Sequence, residues 1–462
     1  MAPPCVVVND SPIPHPSASL PRPPRSRWTL WNPVRLAMVS AIARAPAFLV
    51  PLVIAAAFGA GALTDAYFLA YTGALLIGGT IGQGLESAVV PFAARAMMTP
   101  GAAPLRFLDR AAARAAWGGL GLWVCVVGGL TLLEGPAPSS IVLFGVLFTP
   151  FVVAWCASAV FSGALVSQHR IGAANGSNVL RGMGALLGAG LAPVGGGLSA
   201  VVVGLAVGEG IRFWWLRGSL RNGLTSGGST AVDELSRLTR SSLAQAGANV
   251  ATGAVPLIER LLAATLGLGA LSHLEYGFRL LVLPAILFEG ALAPLLLARW
   301  AGLVATQGIG PSRQEVGRSV LRGVLAAAAC TAVLLVGAPL LVRAILQHGR
   351  FDEADAATVV HLLRLLSIGF VATMGALLLE RAFLARSRNS VLAKLSWARA
   401  TLRLLGVVAL LEYQGLAAFA IAYAVADWAY MLALWLLLPR DVGVAEWVPS
   451  GSTKGSGVAK GP

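Results

Sequence analysis

The chain has 462 residues, of which 57% are hydrophobic and only 12% charged, with 54 glycines and a formal net charge of +14. A soluble globular chain carries roughly 25% charged residues. The composition therefore excludes a soluble enzyme, a disordered chain and a disulfide-rich secreted domain, and implies an all-α, polytopic membrane protein.

Taken in chain order, residues 1–27 are Pro-rich and hold no apolar run of spanning length, which predicts a disordered cytoplasmic tail. This tail is no signal peptide, because its charge follows the prolines and no cleavage site closes a short apolar core. Residues 28–222 form the first predicted bundle. Its apolar segments are Val34–Phe58, Asp65–Phe92, Ala115–Leu133, Ser140–Val166, Ala173–Ala192 and Leu198–Trp215. Residues 223–241 read as a cytoplasmic linker. Residues 242–438 form the second bundle, with segments Ser242–Leu266, Gly277–Ala298, Val320–Val342, Ala356–Glu380, Val391–Leu411 and Leu416–Leu438. Residues 439–462 are Gly- and Ser-rich and predict a flexible cytoplasmic tail. Each segment is near the ~20 residues that span hydrocarbon. All twelve are expected as helices, since a helix satisfies its own backbone in lipid. The alternating pattern of a barrel strand is absent.

The basic residues sort by side. Alternate connections, beginning with the N-terminal tail, carry 25 Lys and Arg residues, and the opposite side carries Arg343 and Arg350. This asymmetry predicts cytoplasmic termini and an even number of spans. The net charge then meets anionic membrane lipid, and no nucleic acid is expected as a partner. The four cysteines, Cys5, Cys125, Cys156 and Cys330, have neither metal nor disulfide spacing. No cofactor or metal is expected. Trp28, Trp31, Trp214 and Trp300 fall at segment ends, where Trp anchors an interface.

Two passages match at an offset of 208: Phe58-Gly-Ala-Gly-Ala-Leu-Thr-Asp65 and Leu266-Gly-Leu-Gly-Ala-Leu-Ser-His273. Each follows one span and opens the next, on the outer side. The same orientation in both copies fits a parallel repeat of six plus six spans around a central cavity, an architecture that suits transport by alternating access. Gly184-x-x-x-Gly188 offers a close helix contact.

Seven basic residues fall within spans: Arg44, Arg181, Arg260, Arg279, Arg364, Arg399 and Arg403. A central Arg costs at least ~2.5 kcal/mol in lipid, so these must face a wet cavity, pair with acids or snorkel. The embedded acids are Glu86, Glu209, Glu259, Glu289 and Asp427. Glu259 and Arg260 are adjacent and point to different helix faces, whereas Arg399 and Arg403 share one face. Arg364 is placed to snorkel outward. Arginine binds phosphate through a planar fork. A surplus of cavity arginine over acid predicts an anionic substrate, a phosphate or diphosphate.

Phe58-Gly-Ala-Gly-Ala-Leu-Thr-Asp-Ala-Tyr-Phe68 resembles the start of the second helix in the MurJ/MviN lipid II flippase family, part of the superfamily of multidrug, oligosaccharidyl-lipid and polysaccharide exporters. Leu346-Gln-His-Gly-Arg-Phe351 resembles that family's outer loop before the tenth helix, and Gly415-Leu-Ala-Ala-Phe-Ala-Ile-Ala-Tyr423 the opening of its twelfth. The resemblance covers residues 34–438. It implies a substrate-binding set of Arg44, Asp65, Glu259 and Arg279, with Arg260 beside Glu259 and cavity charge from Arg399 and Arg403. The implied substrate is a polyprenyl-diphosphate-linked glycan, lipid II or a polysaccharide repeat unit, and glycan-biosynthesis enzymes are implied partners. The sequence also departs from the family. Thr72–Gln83 carries no charge, Val50 and Val282 replace charged residues, and Arg403 and Val407 fall where the family places cation ligands.

Three other functions compete with a flippase. A membrane glycan-modifying enzyme needs positioned acids, bases or nucleophiles, and the outer loops are short. Asp352-Glu-Ala-Asp355 spells a helicase motif without a Gly-rich phosphate loop, and no His-Glu-x-x-His or Gly-x-Ser-x-Gly occurs. A multidrug exporter of the same superfamily would favour an acidic cavity for cationic drugs. A transport-inactive scaffold for glycan biosynthesis is consistent with the uncharged Thr72–Gln83 stretch.

Overall fold

A segment in lipid has no water to satisfy its backbone, and each of the twelve expected segments is helical where it is described. The computed structural model describes residues 45–46, 48–98, 104–132, 138–168, 170–221, 232–288, 292–293, 296–297, 299–300, 303, 311–386 and 388–438. The expected tails, Arg44, Glu289, Trp28 and Trp31 lie outside these residues.

The N-terminal half contains α1 (Phe48–Phe58), α2 (Ala62–Leu75), a π-helical turn (Leu76–Ile81), α3 (Gly82–Met98), α4 (Pro104–Leu132) and α5 (Pro138–Ser167). It continues through α6 (Ile171–Gly176), α7 (Asn178–Leu191) and α8 (Gly197–Arg221). The C-terminal half contains α9 (Val232–Ala264), α10 (Ala270–Leu287), α11 (Arg313–Ile345), α12 (Glu353–Ala385), α13 (Asn389–Gln414) and α14 (Ala417–Leu437). α2, the π turn and α3 form one rod, and α6 with α7 form another. Among the described residues the chain therefore makes twelve helical passages. Seven are long and apolar enough to cross a membrane by length and composition. α9 and α13, which carry Glu259, Arg260, Arg399 and Arg403, are not among those seven.

Several helices outrun their apolar segments. α4 begins at Pro104 rather than at Ala115, and α9 at Val232 rather than at Ser242. Their leading turns, which carry Arg106, Asp109, Arg110 and Arg114 in α4 and Asp233, Glu234, Arg237 and Arg240 in α9, extend beyond the stretch that hydropathy alone marks. The Asp352–Asp355 tetrapeptide is a helix start: Asp352 Oδ1 accepts from the Asp355 backbone N–H at 2.8 Å, a capping box opening α12.

α7 and α8 pack backbone on backbone. A Cβ at Gly184 would lie 2.3 Å from the Gly204 carbonyl oxygen, and one at Gly188 would lie 2.2 Å from that of Ala200. Gly204 and Gly208 face the same seam from α8, so the Gly184–Gly188 spacing is half of a reciprocal four-glycine contact. Beneath the π turn, Gly78 makes room for Trp155, whose ring would meet a Cβ there at 2.2 Å.

The tryptophans differ from the interface expectation. Trp214 is exposed, but Trp300 is fully buried in a cluster with Val316, Leu379 and Leu434, where helix packing rather than the membrane surface holds the ring. Cys156 is buried and Cys125 exposed, each a packing or lipid-facing thiol.

Candidate functional site

The two copies of the duplicated motif touch. Asp65, in the first turn of α2, is completely buried. Its carboxylate accepts from Gly269 N–H at 2.7 Å, from Ser272 N–H at 2.8 Å and from the Ser272 hydroxyl at 2.5 Å. The first N–H groups of a helix lack intrahelical partners, and a carboxylate there complements the helix dipole. Gly269, at φ 82°, turns the chain into α10 without a side-chain cap of its own, and Asp65 caps that helix from the opposite half. His273, the repeat counterpart of Asp65, instead pairs through Nε2 with Asp355 at 2.8 Å.

The Leu346–Phe351 motif completes this seal. Arg350 N–H donates to the Ala56 carbonyl at 3.0 Å. Gly349, at φ 65°, sits so close that a Cβ would lie 2.1 Å from the same oxygen. The Tyr276 hydroxyl donates to the Gly59 carbonyl at 3.1 Å, and its ring lies edge-on to both Phe68 and Phe351. The Asp65 end of the seam is therefore shut by backbone contact between the halves.

Deeper in the C-terminal half, charged side chains form a chain of alternating sign. Arg279 donates to Glu275 Oε1 at 2.8 Å, and Arg260 donates to Glu275 Oε2 at 2.8 Å. Arg260 lies 3.7 Å from Glu259, and Glu259 accepts from Nε and from one terminal nitrogen of Arg403, the latter at 2.7 Å. Three arginines and two glutamates thus connect α10, α9 and α13. The Arg279 guanidinium lies 5.7 Å from the centre of the Tyr71 ring on α2, so this end of the chain faces the other half. Arg403 sits over Tyr423 at 4.9 Å, and Arg260 over Phe278 at 5.4 Å.

Arg399 belongs to a neighbouring group. It binds Asp427 with two parallel contacts of 2.7 Å, Thr373 and Tyr423 join that cluster, and Tyr430 donates to Glu380 at 3.0 Å. In the N-terminal half, Glu209 binds Arg181 at 2.5 Å and Arg212 at 2.9 Å. Arg181 lies 3.7 Å over Trp155, and Ser162 donates to Glu86 at 2.9 Å.

The sequence-derived set divides accordingly. Glu259, Arg260, Arg279 and Arg403 come together, Arg399 lies in the adjoining cluster, Asp65 lies at the closed seam, and Arg44 is outside the described residues. Two acids were missing from that set. Glu275 precedes the expected start of its segment at Gly277, but α10 begins at Ala270 and carries it inside; its i, i+4 spacing to Arg279 was the available signal. Glu380 closed its expected segment, yet α12 continues to Ala385. With both included, Arg260, Arg279, Arg399 and Arg403 face Glu259, Glu275, Glu380 and Asp427, and the described charged groups of the C-terminal half have no surplus of arginine. Arg181 and Arg212 are likewise opposed by Glu209 and, more distantly, Glu86. Among the described residues no group of His, Cys, Asp and Glu is arranged to hold a metal.

The fold has solved counterparts. A structure titled lipid II flippase MurJ, inward closed conformation, superposes with a TM-score of 0.77 at 15% identity, covering 87% of each chain. An inward-facing multidrug resistance MATE family transporter of the MOP superfamily gives 0.69 at 13% identity, covering 88% of this chain and 97% of that one. A MOP superfamily transporter from Pyrococcus furiosus, whose title reports a binding pocket of reverse polarity, gives 0.62 at 14% identity, covering 87% and 94%. No curated protein sequence matches the chain significantly. The family profile described as lipid II flippase MurJ matches residues 54–456, most of the sequence, and the chain belongs to that family of membrane transporters, not enzymes.

Proposed function

We propose that the protein carries a polyprenyl-diphosphate-linked glycan, lipid II or a polysaccharide repeat unit, from the inner to the outer leaflet of the bacterial inner membrane. The two halves, 28–222 and 242–438, rock against each other with both termini cytoplasmic and the Asp65 seam facing outward. The observation that carries this reading is the chain from Arg279 through Glu275, Arg260 and Glu259 to Arg403, whose Arg279 end faces Tyr71 across the seam. Three arginines meet two glutamates in this chain, and the adjoining Arg399, Asp427 and Glu380 bring basic and acidic groups level, so an anion binds by exchange rather than by surplus charge.

The chemistry is exchange of one anion for another. Glu275 occupies the donors of Arg260 and Arg279. A diphosphate offers the same planar forks more acceptors and more charge. It displaces the Glu275 carboxylate, and Arg44 is the proposed partner of Arg279 in holding it. Asp65 contributes by latching the seam rather than by touching the headgroup. No bond in the substrate is made or broken, and the polyprenyl chain stays in the bilayer.

Transport of fluorescent lipid II and of a lipid-linked polysaccharide repeat unit in vesicles tests this reading. Wild type is expected to move at least one of them, and Arg279→Ala to reduce that rate severely. Unchanged transport by Arg279→Ala together with Arg44→Ala would remove the proposed site. Deletion in the source organism, followed by assay of wall precursor and surface glycan, separates the two substrates.

A further inference from the structure

A cationic cavity lies away from the seam, between the Ile345 end of α11 and the start of α12. It encloses about 320 Å³ and is lined by Pro339, Arg343, Glu353, Val360, His361 and Arg364 among others. Arg343 lies 3.7 Å from Glu353, and both are exposed. Pro339 has no N–H, so the carbonyl of Leu335 loses its helical donor. Arg364 Nε supplies the replacement at 2.9 Å. That bond fixes the guanidinium beside the cavity. Among the described residues its terminal amino groups and the His361 imidazole have no hydrogen-bond partner.

The surroundings are those of a lipid-facing surface. On α11, Val333, Val336 and Leu340 are exposed on the stripe that leads to Arg343. On α12, Ile368 is exposed one turn from Arg364, on the face shared with His361. Depth can be set from helix length. α12 has 33 residues, about 50 Å, against a hydrocarbon layer of ~30 Å. Centred in that layer, it places His361 near the headgroup boundary and Arg364 roughly one turn inside. α11, of the same length, places Arg343 in the headgroup layer.

We propose that this cavity binds the phosphate of a membrane lipid. The phosphate sits on Arg343, His361 and Arg364, and the hydrocarbon chains run along Val336, Leu340 and Ile368. Glu353 turns Arg343 toward the cavity and sets the net charge of the two arginines and one acid at +1. Two sources share this chemistry: the headgroup of a bulk anionic phospholipid, and a polyprenyl phosphate or diphosphate delivered to this leaflet. Binding here does not require transport. Only the assignment to the outer leaflet rests on the proposed function.

Native mass spectrometry of the full chain in detergent tests the site, with phosphatidylglycerol and undecaprenyl diphosphate as separate probes. Wild type is expected to retain one lipid that Arg343→Gln with His361→Gln releases, with affinity lower by on the order of tenfold. That pair leaves the Arg364–Leu335 bond intact, so the fold is not at issue. Arg364→Gln is expected to act in the same direction, and Arg322→Gln, toward the other end of α11, is expected to retain the lipid. Displacement of phosphatidylglycerol by equimolar undecaprenyl diphosphate supports the site and names the polyprenyl source; persistence of phosphatidylglycerol supports it and names the bulk lipid. Equal retention of both probes by wild type and the Arg343/His361 variant overturns the proposal, as does retention of neither by wild type.

Discussion

Thr64 and Ser272 stand 208 residues apart and share a hydrogen bond of 3.0 Å between their hydroxyls. They are also the same position in the two copies of the duplicated motif. Equivalent residues of a parallel duplication meet only beside the axis that relates the copies, so that axis passes between these two hydroxyls. The halves are in direct contact there, and parting them at this seam has to separate this pair.

Replacing Thr64 and Ser272 by cysteine, with Cys5, Cys125, Cys156 and Cys330 changed to alanine, is expected to allow a disulfide across the seam. Oxidation should bring vesicle transport to background, and reductant should restore it. A cross-linked protein that still transports would show that the substrate does not leave past this point.

Asp65 contributes one carboxylate to three donors of the other half. Asp65→Asn keeps the shape, removes the charge and turns one acceptor into a donor. Charge-assisted hydrogen bonds of this kind contribute about 1.5–3 kcal/mol. The closed seam should lose on the order of tenfold in population for the first ~1.4 kcal/mol. The modification rate of a cysteine at Ala60, beside Gly269, measures this and should rise accordingly.

Glu275 is buried between two arginines, so Glu275→Gln leaves Arg260 and Arg279 facing each other with no charge between them. Breaking a buried ion pair from one side costs about 3–5 kcal/mol. Thermal unfolding in detergent should move to lower temperature, and adding Arg279→Ala should recover part of the loss. If the double variant is no better than the sum of the single ones, Glu275 and Arg279 are not energetically coupled.

Gly204→Val tests the glycine seam of α7 and α8. A Cβ at Gly204 would lie 2.2 Å from the Gly184 carbonyl oxygen, so the helices must part. Yield of folded protein and its unfolding temperature should both fall sharply, whereas Gly210→Ala, on the open side of α8, should change neither.

What the sequence made legible follows the demands of lipid. Every expected span is a helix where described, because an apolar stretch of that length has few alternatives. The leading turns at Pro104 and Val232 escaped, since charges interspersed along a helix look like a loop to a hydropathy argument. The same blind spot hid Glu275. Its partner Arg279 was visible, and the pair's i, i+4 spacing is a local signal. The partnerships of Arg403 with Glu259, across 144 residues, and of Asp65 with Ser272, across 207, have no local signal. Only packing brings those groups together. Arg364 reads from the sequence as a snorkelling residue; the structure adds that its Nε caps the carbonyl that Pro339 frees, a role written in the sequence of a neighbouring helix.

The π-helical turn at Leu76–Ile81 divides the rod that begins at Ala62 and ends at Met98. Such a turn carries one surplus residue, and ejecting it would swivel everything downstream by about 100°. Tyr71 lies before this joint, and Leu85 and Val89 lie after it. A twist at the joint would therefore re-aim α3 against α9 while Tyr71 stays beside Arg279, so the two ends of this rod need not move together.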